Sequence, residues 1–134
     1  MTTFDPKQYK ITTRQQWEEA AGAWDSWGPT LELWLGEATE RMLDAARVGT
    51  GGRVLDVAAG AGGQTILAAR RVGPGGRVLA TDISPTILAY AAKAAADAGL
   101  GNVENARGRW RGAGGPRPRL VRRRHLAGWP DLLS

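Results

Sequence analysis

The sequence contains no cysteine and a single histidine, His125. A disulfide framework and a thiolate metal site are therefore excluded, and one histidine cannot form a metal-binding cluster. No apolar stretch approaches the roughly 20 residues of a membrane-spanning helix. The N-terminus, M-T-T-F-D-P-K, lacks the basic segment and apolar core of a signal peptide. These absences predict a soluble cytoplasmic protein with no metal and no membrane partner.

Glycine, in contrast, is abundant, and three glycines cluster in the most informative stretch of the chain. Residues 54–65 read V-L-D-V-A-A-G-A-G-G-Q-T, an apolar run that carries Asp56 and ends in Gly60, Gly62 and Gly63 before a helical pattern resumes. Glycine suits tight turns and close backbone approach to a ligand, and the free N–H groups of a helix N-terminus favour electron-rich atoms. The stretch predicts a strand, a turn and a helix that bind a nucleotide-type cofactor.

Two cofactor classes compete for this loop. The dinucleotide fingerprint G-x-G-x-x-G, counted from Gly60, puts Thr65 where its third glycine belongs, and a pyrophosphate gains nothing from Asp56. S-adenosylmethionine carries a sulfonium and an ammonium, which a carboxylate attracts. Twenty residues after Gly62, Asp82 ends a second apolar run, where it can accept hydrogen bonds from ribose hydroxyls. The residues favour S-adenosylmethionine.

Two segments, V-L-D-V-A-A-G-A-G-G and G-G-R-V-L-A-T-D-I-S-P, resemble class I S-adenosylmethionine-dependent methyltransferases, in particular the ubiquinone and menaquinone biosynthesis group. The resemblance implies an α/β Rossmann-like fold with a parallel sheet and flanking helices. It implies that Asp56 organises the methionine end of the cofactor and that Asp82 holds the ribose. The full set of cofactor-binding candidates is Asp56, Ala58, Gly60, Gly62, Asp82 and Ile83. An unrelated β-α-β unit with a glycine turn is the alternative.

One of these candidates departs from the family pattern, and the chain is short for the family. Ala58 stands where the usual motif has its first glycine, a change that adds a single methyl group. The family fold has a seven-stranded sheet, so 134 residues predict a truncated domain that holds only its first half.

Before the loop, residues 1–48 are predicted to form a helical segment. T-R-Q-Q at Thr13 matches a capping box and predicts a helix to about residue 23, and Thr30 caps a second helix to about residue 48 after Gly28 and Pro29 break the chain. Tryptophan is concentrated here. We expect these tryptophans to pack the first helix on the sheet, and the alternative is a wall of the substrate site. They are Trp17, Trp24, Trp27 and Trp34.

The second predicted helix has an apolar stripe and an acidic face. The stripe is expected to face the interior, and the charged residues are expected to be solvated. The stripe comprises Leu31, Leu35, Ala38, Met42 and Ala46; the charged residues are Glu32, Glu37, Glu40, Arg41 and Asp44.

Residues 49–104 are predicted to form the cofactor-binding core. The order is strand, helix, strand, helix, with a helix over residues 64–71, a strand ending at Asp82, and a second helix capped by Ser84 and Pro85. This order predicts a parallel sheet.

After Glu104 the composition changes abruptly. Residues 1–106 hold 10 Lys and Arg against 12 Asp and Glu, whereas residues 107–134 hold eight Arg and one acid, Asp131. We expect residues 105–134 to be a non-native, disordered tail, rich in Arg, Gly and Pro. The alternative is a basic, non-enzymatic protein whose arginines, with Trp110 and Trp129, bind nucleic acid.

A shift of reading frame can explain the composition of this tail. Most residues from Asn105 onward can be encoded by several codons, and suitable choices can be read from the second nucleotide of each codon. Over residues 105–114 that frame can spell T-R-V-A-D-G-E-A-L-E, and over residues 120–133 it can spell S-F-D-A-V-I-S-R-V-G-L-I-Y-F. Both strings resemble later strands of the family, which predicts a frameshift near Glu104. Arg109 then stands where the family has its adenine-side carboxylate, and an arginine cannot accept a hydrogen bond.

The sequence thus predicts methyl transfer from S-adenosylmethionine to a small-molecule acceptor as the family function, with this chain an inactive fragment. No catalytic residue can be assigned, because His125 lies in the anomalous tail. The acceptor and the oligomeric state are not given by the sequence.

Overall fold

The computed structural model describes residues 4–107, which form four helices and three strands. In chain order the elements are α1 (Pro6–Ser26), α2 (Gly28–Ala45), β1 (Arg53–Val57), α3 (Gly63–Val72), β2 (Arg77–Asp82), α4 (Pro85–Asp97) and β3 (Val103–Arg107).

The three strands form one parallel sheet in the order β1-β2-β3. Each strand pairs with the next one in sequence, and the intervening helix makes the crossover that a parallel pair requires. The α/β architecture predicted from the sequence is confirmed, as are the end of β2 at Asp82 and the cap of α4, where Ser84 Oγ accepts from Ile87 N at 3.0 Å.

Strand β3 continues past the point at which the sequence pattern changes. Its pairing with β2 extends from Val103 opposite Val78 to Arg107 opposite Asp82. Backbone ladders use N–H and C=O groups that every residue except proline carries, so the three residues beyond Glu104 can pair with β2 whatever their side chains. The boundary between a core and a tail at residue 104 stays a prediction.

The core lies between one face of the sheet and helices α3 and α4. Val78 and Val72 are fully buried, together with Leu43 of α2, and Ala80 packs with Leu88 of α4. Because side chains alternate along a strand, Val78 and Ala80 share one face of β2, and both helices cover that face.

The opposite face of the sheet is less covered within the described residues. Leu55 is 37% exposed and Val57 54% exposed, although both lie in the middle or at the end of an apolar strand. None of the helices within residues 4–107 combines the length and the apolar character needed to cross a bilayer.

The start of α1 differs from the sequence prediction. The helix begins at Pro6, with Asp5 as its N-cap accepting from Lys7 N at 2.8 Å, and Thr13 lies inside it. Proline at the first turn after an aspartate is itself a strong start signal, so the capping box at Thr13 was the wrong choice between two local signals. For α2 likewise, Pro29 lies in the first turn, and Thr30 does not cap the helix.

The stripe of α2 that faces the interior also differs from the prediction. Thr39 and Leu43 are buried, whereas Leu35 and Met42 of the predicted stripe are 45% and 47% exposed. The cause is packing against α3, because Leu43 lies in one buried cluster with Val72 of that helix. Arg71 of α3 also binds two carboxylates of α2, which remain largely exposed. Its partners are Asp44, at 2.5 Å, and Glu40.

The expectation that the tryptophans pack α1 on the sheet is wrong. Helix α1 contacts α4 and α2 rather than a strand, and the four indoles remain substantially exposed, from 39% at Trp24 to 79% at Trp34. Trp17 and Trp24 contact each other, with ring centroids 5.9 Å apart.

Candidate cofactor site

The loop between β1 and α3 turns through a series of left-handed residues. The φ angles are 60° at Ala58, 57° at Gly60 and 100° at Gly62. Ala59 N donates to Thr81 O at 2.9 Å, which fastens the loop to β2. The loop therefore reverses the chain at the carboxyl end of the sheet, where ligands of open parallel sheets bind.

Asp56 lies on the helix-covered face of β1, close to the end of the strand. Its Oδ2 accepts a hydrogen bond from Thr65 Oγ1 at 2.6 Å, and the hydroxyl of Thr81 donates to its backbone oxygen at 3.1 Å. Burial raises the pKa of the Asp56 carboxyl, the bond from Thr65 lowers it, and the nearby negative charge of Asp82 raises it again, with burial the largest influence.

Asp82 ends β2 and connects the glycine loop to the start of α4. Its Oδ2 accepts from Gly60 N at 3.1 Å and its Oδ1 accepts from Ser84 N at 3.0 Å. A carboxylate offers about four lone-pair positions, so each oxygen can accept one further bond. The side chain is thus held in a fixed orientation at the carboxyl end of β2, and its oxygens can still accept further hydrogen bonds.

The other candidates differ in what they contribute. At Gly60 a Cβ would meet nothing within 4 Å, so the backbone there is open to a ligand. At Gly62 a Cβ would lie 3.0 Å from Ala91 Cα, so this glycine is required by the contact between α3 and α4. Ile83 is 39% exposed beside Asp82 and offers an apolar surface.

These residues suit a cofactor that is both cationic and rich in hydroxyl groups. Two carboxylates lie near the carboxyl ends of neighbouring strands, and the negative charge of Asp82 contributes to raising the pKa of Asp56, after the larger effect of burial. A cation between them relieves that repulsion, whereas a pyrophosphate would increase it. The donor set therefore fits S-adenosylmethionine, although contact of each candidate with the cofactor stays a prediction.

One part of this site was missed by sequence reasoning. Thr65 entered that reasoning only as a mismatch to the dinucleotide fingerprint, yet its side chain is fully buried against Asp56. A hydroxyl in the first turn of the helix that follows a strand carboxylate is the signal that could have identified it.

Several sequence predictions lie outside the described residues. They concern Arg109, Trp110, His125, Trp129 and Asp131, and with them the nucleic-acid alternative. Within residues 4–107 no cluster of three or more potential metal ligands occurs.

A parallel sheet in this order, with a glycine loop after β1 and carboxylates near the carboxyl ends of β1 and β2, is typical of Rossmann-like cofactor-binding folds. Residues 49–111 match the family model described as a methyltransferase domain. No curated protein matches the chain.

Solved structures give the same class. An S-adenosyl-L-methionine-dependent methyltransferase from Methanococcus maripaludis has a TM-score of 0.58 at 22% identity, over 68% of this chain and 41% of its own, which shows the fold. TrmN from Thermus thermophilus has a TM-score of 0.50 at 33% identity, over 52% of this chain and 21% of its own. Coclaurine N-methyltransferase bound to N-methylheliamine and SAH has a TM-score of 0.51 at 25% identity, over 54% of this chain and 21% of its own.

The chain spans between 21% and 41% of the length of these three structures. The comparisons support a methyltransferase domain and S-adenosylmethionine as its cofactor. They leave the acceptor open.

Proposed function

We propose that residues 4–107 form the cofactor-binding part of a methyltransferase that transfers a methyl group from S-adenosylmethionine to a small-molecule acceptor. The observation that carries this proposal is the pair Asp56 and Asp82 at the carboxyl ends of adjacent strands, with the glycine loop bonded to Asp82 through Gly60 N. The match of residues 49–111 to a methyltransferase domain supports it.

Each residue has a distinct part in holding the cofactor. Asp82 would accept hydrogen bonds from ribose hydroxyls with the lone pairs that Gly60 and Ser84 leave available. Asp56, when ionised, would attract the cationic methionine end, and the exposed side chain of Ile83 would offer the cofactor an apolar surface. When bound, the cofactor supplies an electrophilic methyl group on a sulfonium.

Catalysis in such a site rests chiefly on placing that methyl in line with the acceptor. The described residues supply the cofactor half of this arrangement, and no general base is assigned among them. Coclaurine N-methyltransferase, solved with N-methylheliamine, supports a small-molecule acceptor. Within that class, the resemblance of the two motifs favours the acceptors of quinone biosynthesis.

The cofactor part of the proposal is tested by Asp82→Ala in the full chain. We expect isothermal calorimetry to show at least about tenfold weaker binding of S-adenosylhomocysteine, because charge-assisted hydrogen bonds contribute about 1.5 to 3 kcal/mol each. Asp97→Ala is the matched control, since it removes one aspartate carboxylate at the far end of α4, where Asp97 pairs with Lys93 away from the glycine loop. Equal affinity of Asp82→Ala and the unaltered chain would contradict the assignment.

A further part of the proposal concerns the chain beyond the described residues. We infer that the reading frame shifts near Glu104 and that the 134-residue chain is catalytically silent. The reversal of charge after residue 106 and the two family-like strings in the second frame support this inference.

The nucleotide sequence across codon 105 tests the frame directly. A chain continued in the second frame is expected to transfer labelled methyl groups to a quinone-type acceptor, whereas the 134-residue chain is not. Methyl transfer by the 134-residue chain itself would refute both the frameshift and the inactivity.

A further inference from the structure

The side chain of Thr65 is fully buried, and its environment explains why. It lies in the first turn of α3, and the N-cap residue of this helix, Gly62, has no side chain that could cap it. A hydroxyl at this position commonly bonds to its own helix backbone. Instead, Thr65 Oγ1 donates to Asp56 Oδ2 at 2.6 Å, so its one proton is directed out of the helix and onto the strand carboxylate.

This bond constrains the carboxylate in two ways. A bond of 2.6 Å from a hydroxyl to a carboxylate is charge-assisted and directional, so it fixes the plane of the Asp56 carboxylate. It also occupies Oδ2 and leaves Oδ1, which makes no hydrogen bond within the part of the chain that the structure describes, as the oxygen that a ligand can use.

The charge of Asp56 is opposed by its surroundings. Burial and the negative charge of Asp82 on β2 both favour the protonated form, and the hydrogen bond from Thr65 on α3 favours the ionised form. Only the ionised form attracts a cationic ligand. Among the described residues, Thr65 is thus the side chain whose hydrogen bond opposes the effects of burial and of Asp82 on the pKa of Asp56.

We propose that Thr65 is a positioning residue for the cofactor site: its buried hydroxyl, 2.6 Å from Asp56 Oδ2, orients that carboxylate for the cationic end of the ligand. This inference rests on the proposed function, and it assigns a role to a side chain that touches Asp56 rather than the cofactor.

The test separates the hydroxyl of Thr65 from its methyl group. Thr65→Val keeps the shape and removes the donor, Thr65→Ala removes both groups, and Thr65→Ser keeps the donor alone. In the full chain, labelled with ¹³C at aspartate, the Asp56 carboxyl signal is followed against pH without cofactor. We expect the titration midpoint to rise in the Val and Ala variants, because the bond that favours ionisation is lost, and to stay near the original value in the Ser variant.

Binding of S-adenosylmethionine is then measured by calorimetry as a function of pH. Affinity for a cation falls as pH falls through the Asp56 titration, so the Val and Ala variants should lose affinity at higher pH than the unaltered chain. Near that pH we expect about tenfold weaker binding, as the loss of one hydrogen bond to a charged group implies, with recovery in the Ser variant.

The two measurements distinguish the two proposals. A role limited to packing would make Ser resemble Ala and leave Val unaffected, which would overturn the inference. An unchanged Asp56 midpoint in both Val and Ala would also overturn it. A raised midpoint with no binding by any variant, the unaltered chain included, would uphold the link between Thr65 and Asp56 and refute the cofactor assignment.

Discussion

Ala58 carries backbone strain at the start of the cofactor loop. Its φ of 60° is in the left-handed region, which costs a residue with a Cβ about 1 to 2 kcal/mol. The family resemblance made this departure from glycine look minor, because one methyl group is small. The structure shows that the relevant quantity is the backbone angle and not the volume of the methyl.

Replacing Ala58 by glycine is therefore expected to stabilise the chain. Relief of about 1 to 2 kcal/mol of strain exceeds the about 0.5 to 1 kcal/mol that glycine loses through greater freedom in the unfolded state. A net rise of about 0.5 to 1 kcal/mol in the free energy of unfolding should be measurable by urea denaturation. Ala59→Gly is the control, since Ala59 is buried at 6% exposure without a positive φ, and it should destabilise. A loss of stability in Ala58→Gly would show that the methyl contributes packing that outweighs the strain.

At the scale of elements, the contact between α3 and α4 depends on one glycine. Gly62 combines a φ of 100° with a position at which a Cβ would lie 3.0 Å from Ala91 Cα, a backbone atom that cannot rotate away. A side chain at this position would require the start of α3 and helix α4 to move apart by a few tenths of an ångström.

Gly62→Ala is expected to lower the free energy of unfolding by about 2 to 4 kcal/mol, combining left-handed strain with overpacking. Gly63→Ala is the matched control, because the next residue has no positive φ and a Cβ there would meet nothing within 4 Å. Thermal unfolding followed by circular dichroism compares the two. Similar melting temperatures would mean that the helices separate to admit the methyl group.

The elements also show what the sequence could and could not predict. The strand that carries Asp56, the strand that ends at Asp82 and the cap at Ser84 follow from local patterns, namely short apolar runs and the Ser-Pro start signal, and these predictions are confirmed. The buried stripe of α2 did not follow, since it depends on which face of the helix packs against α3, where Leu43 meets Val72, 29 residues away in sequence. The bond from Thr65 to Asp56, nine residues apart, belongs instead to the local patterns that sequence reasoning overlooked.

For the molecule as a whole, the face of the sheet opposite α3 and α4, which is less covered at β1, is expected to limit solubility. Leu55 and Val57 are exposed on the face opposite α3 and α4, and β1 is an edge of the sheet within the described residues. An exposed apolar edge strand invites association with other chains. Marginal solubility is the expected property of the 134-residue chain.

Val57→Lys is expected to reduce this association with little change in stability, because Val57 is 54% exposed and a lysine on an edge strand opposes strand addition. Light scattering at increasing protein concentration measures the effect. Val78→Lys, at a position with 0% exposure, should unfold the chain, and it therefore serves as the reference for a destabilising lysine when the stability of the two variants is compared. A Val57→Lys variant as unstable as Val78→Lys would show that this face is covered in solution.

The strand order carries a consequence for biosynthesis. Strand β1 pairs with β2, and β2 pairs with β3. Each strand therefore pairs with one that was synthesised just before it, so the three strands can pair in the order of synthesis. Domains generally fold N-terminal part first during synthesis, and contacts between consecutive elements have low loop-closure cost. The glycine loop and its two carboxylates can thus assemble while translation is still in progress, which lets the nascent chain acquire its ligand-binding turn before the protein is released.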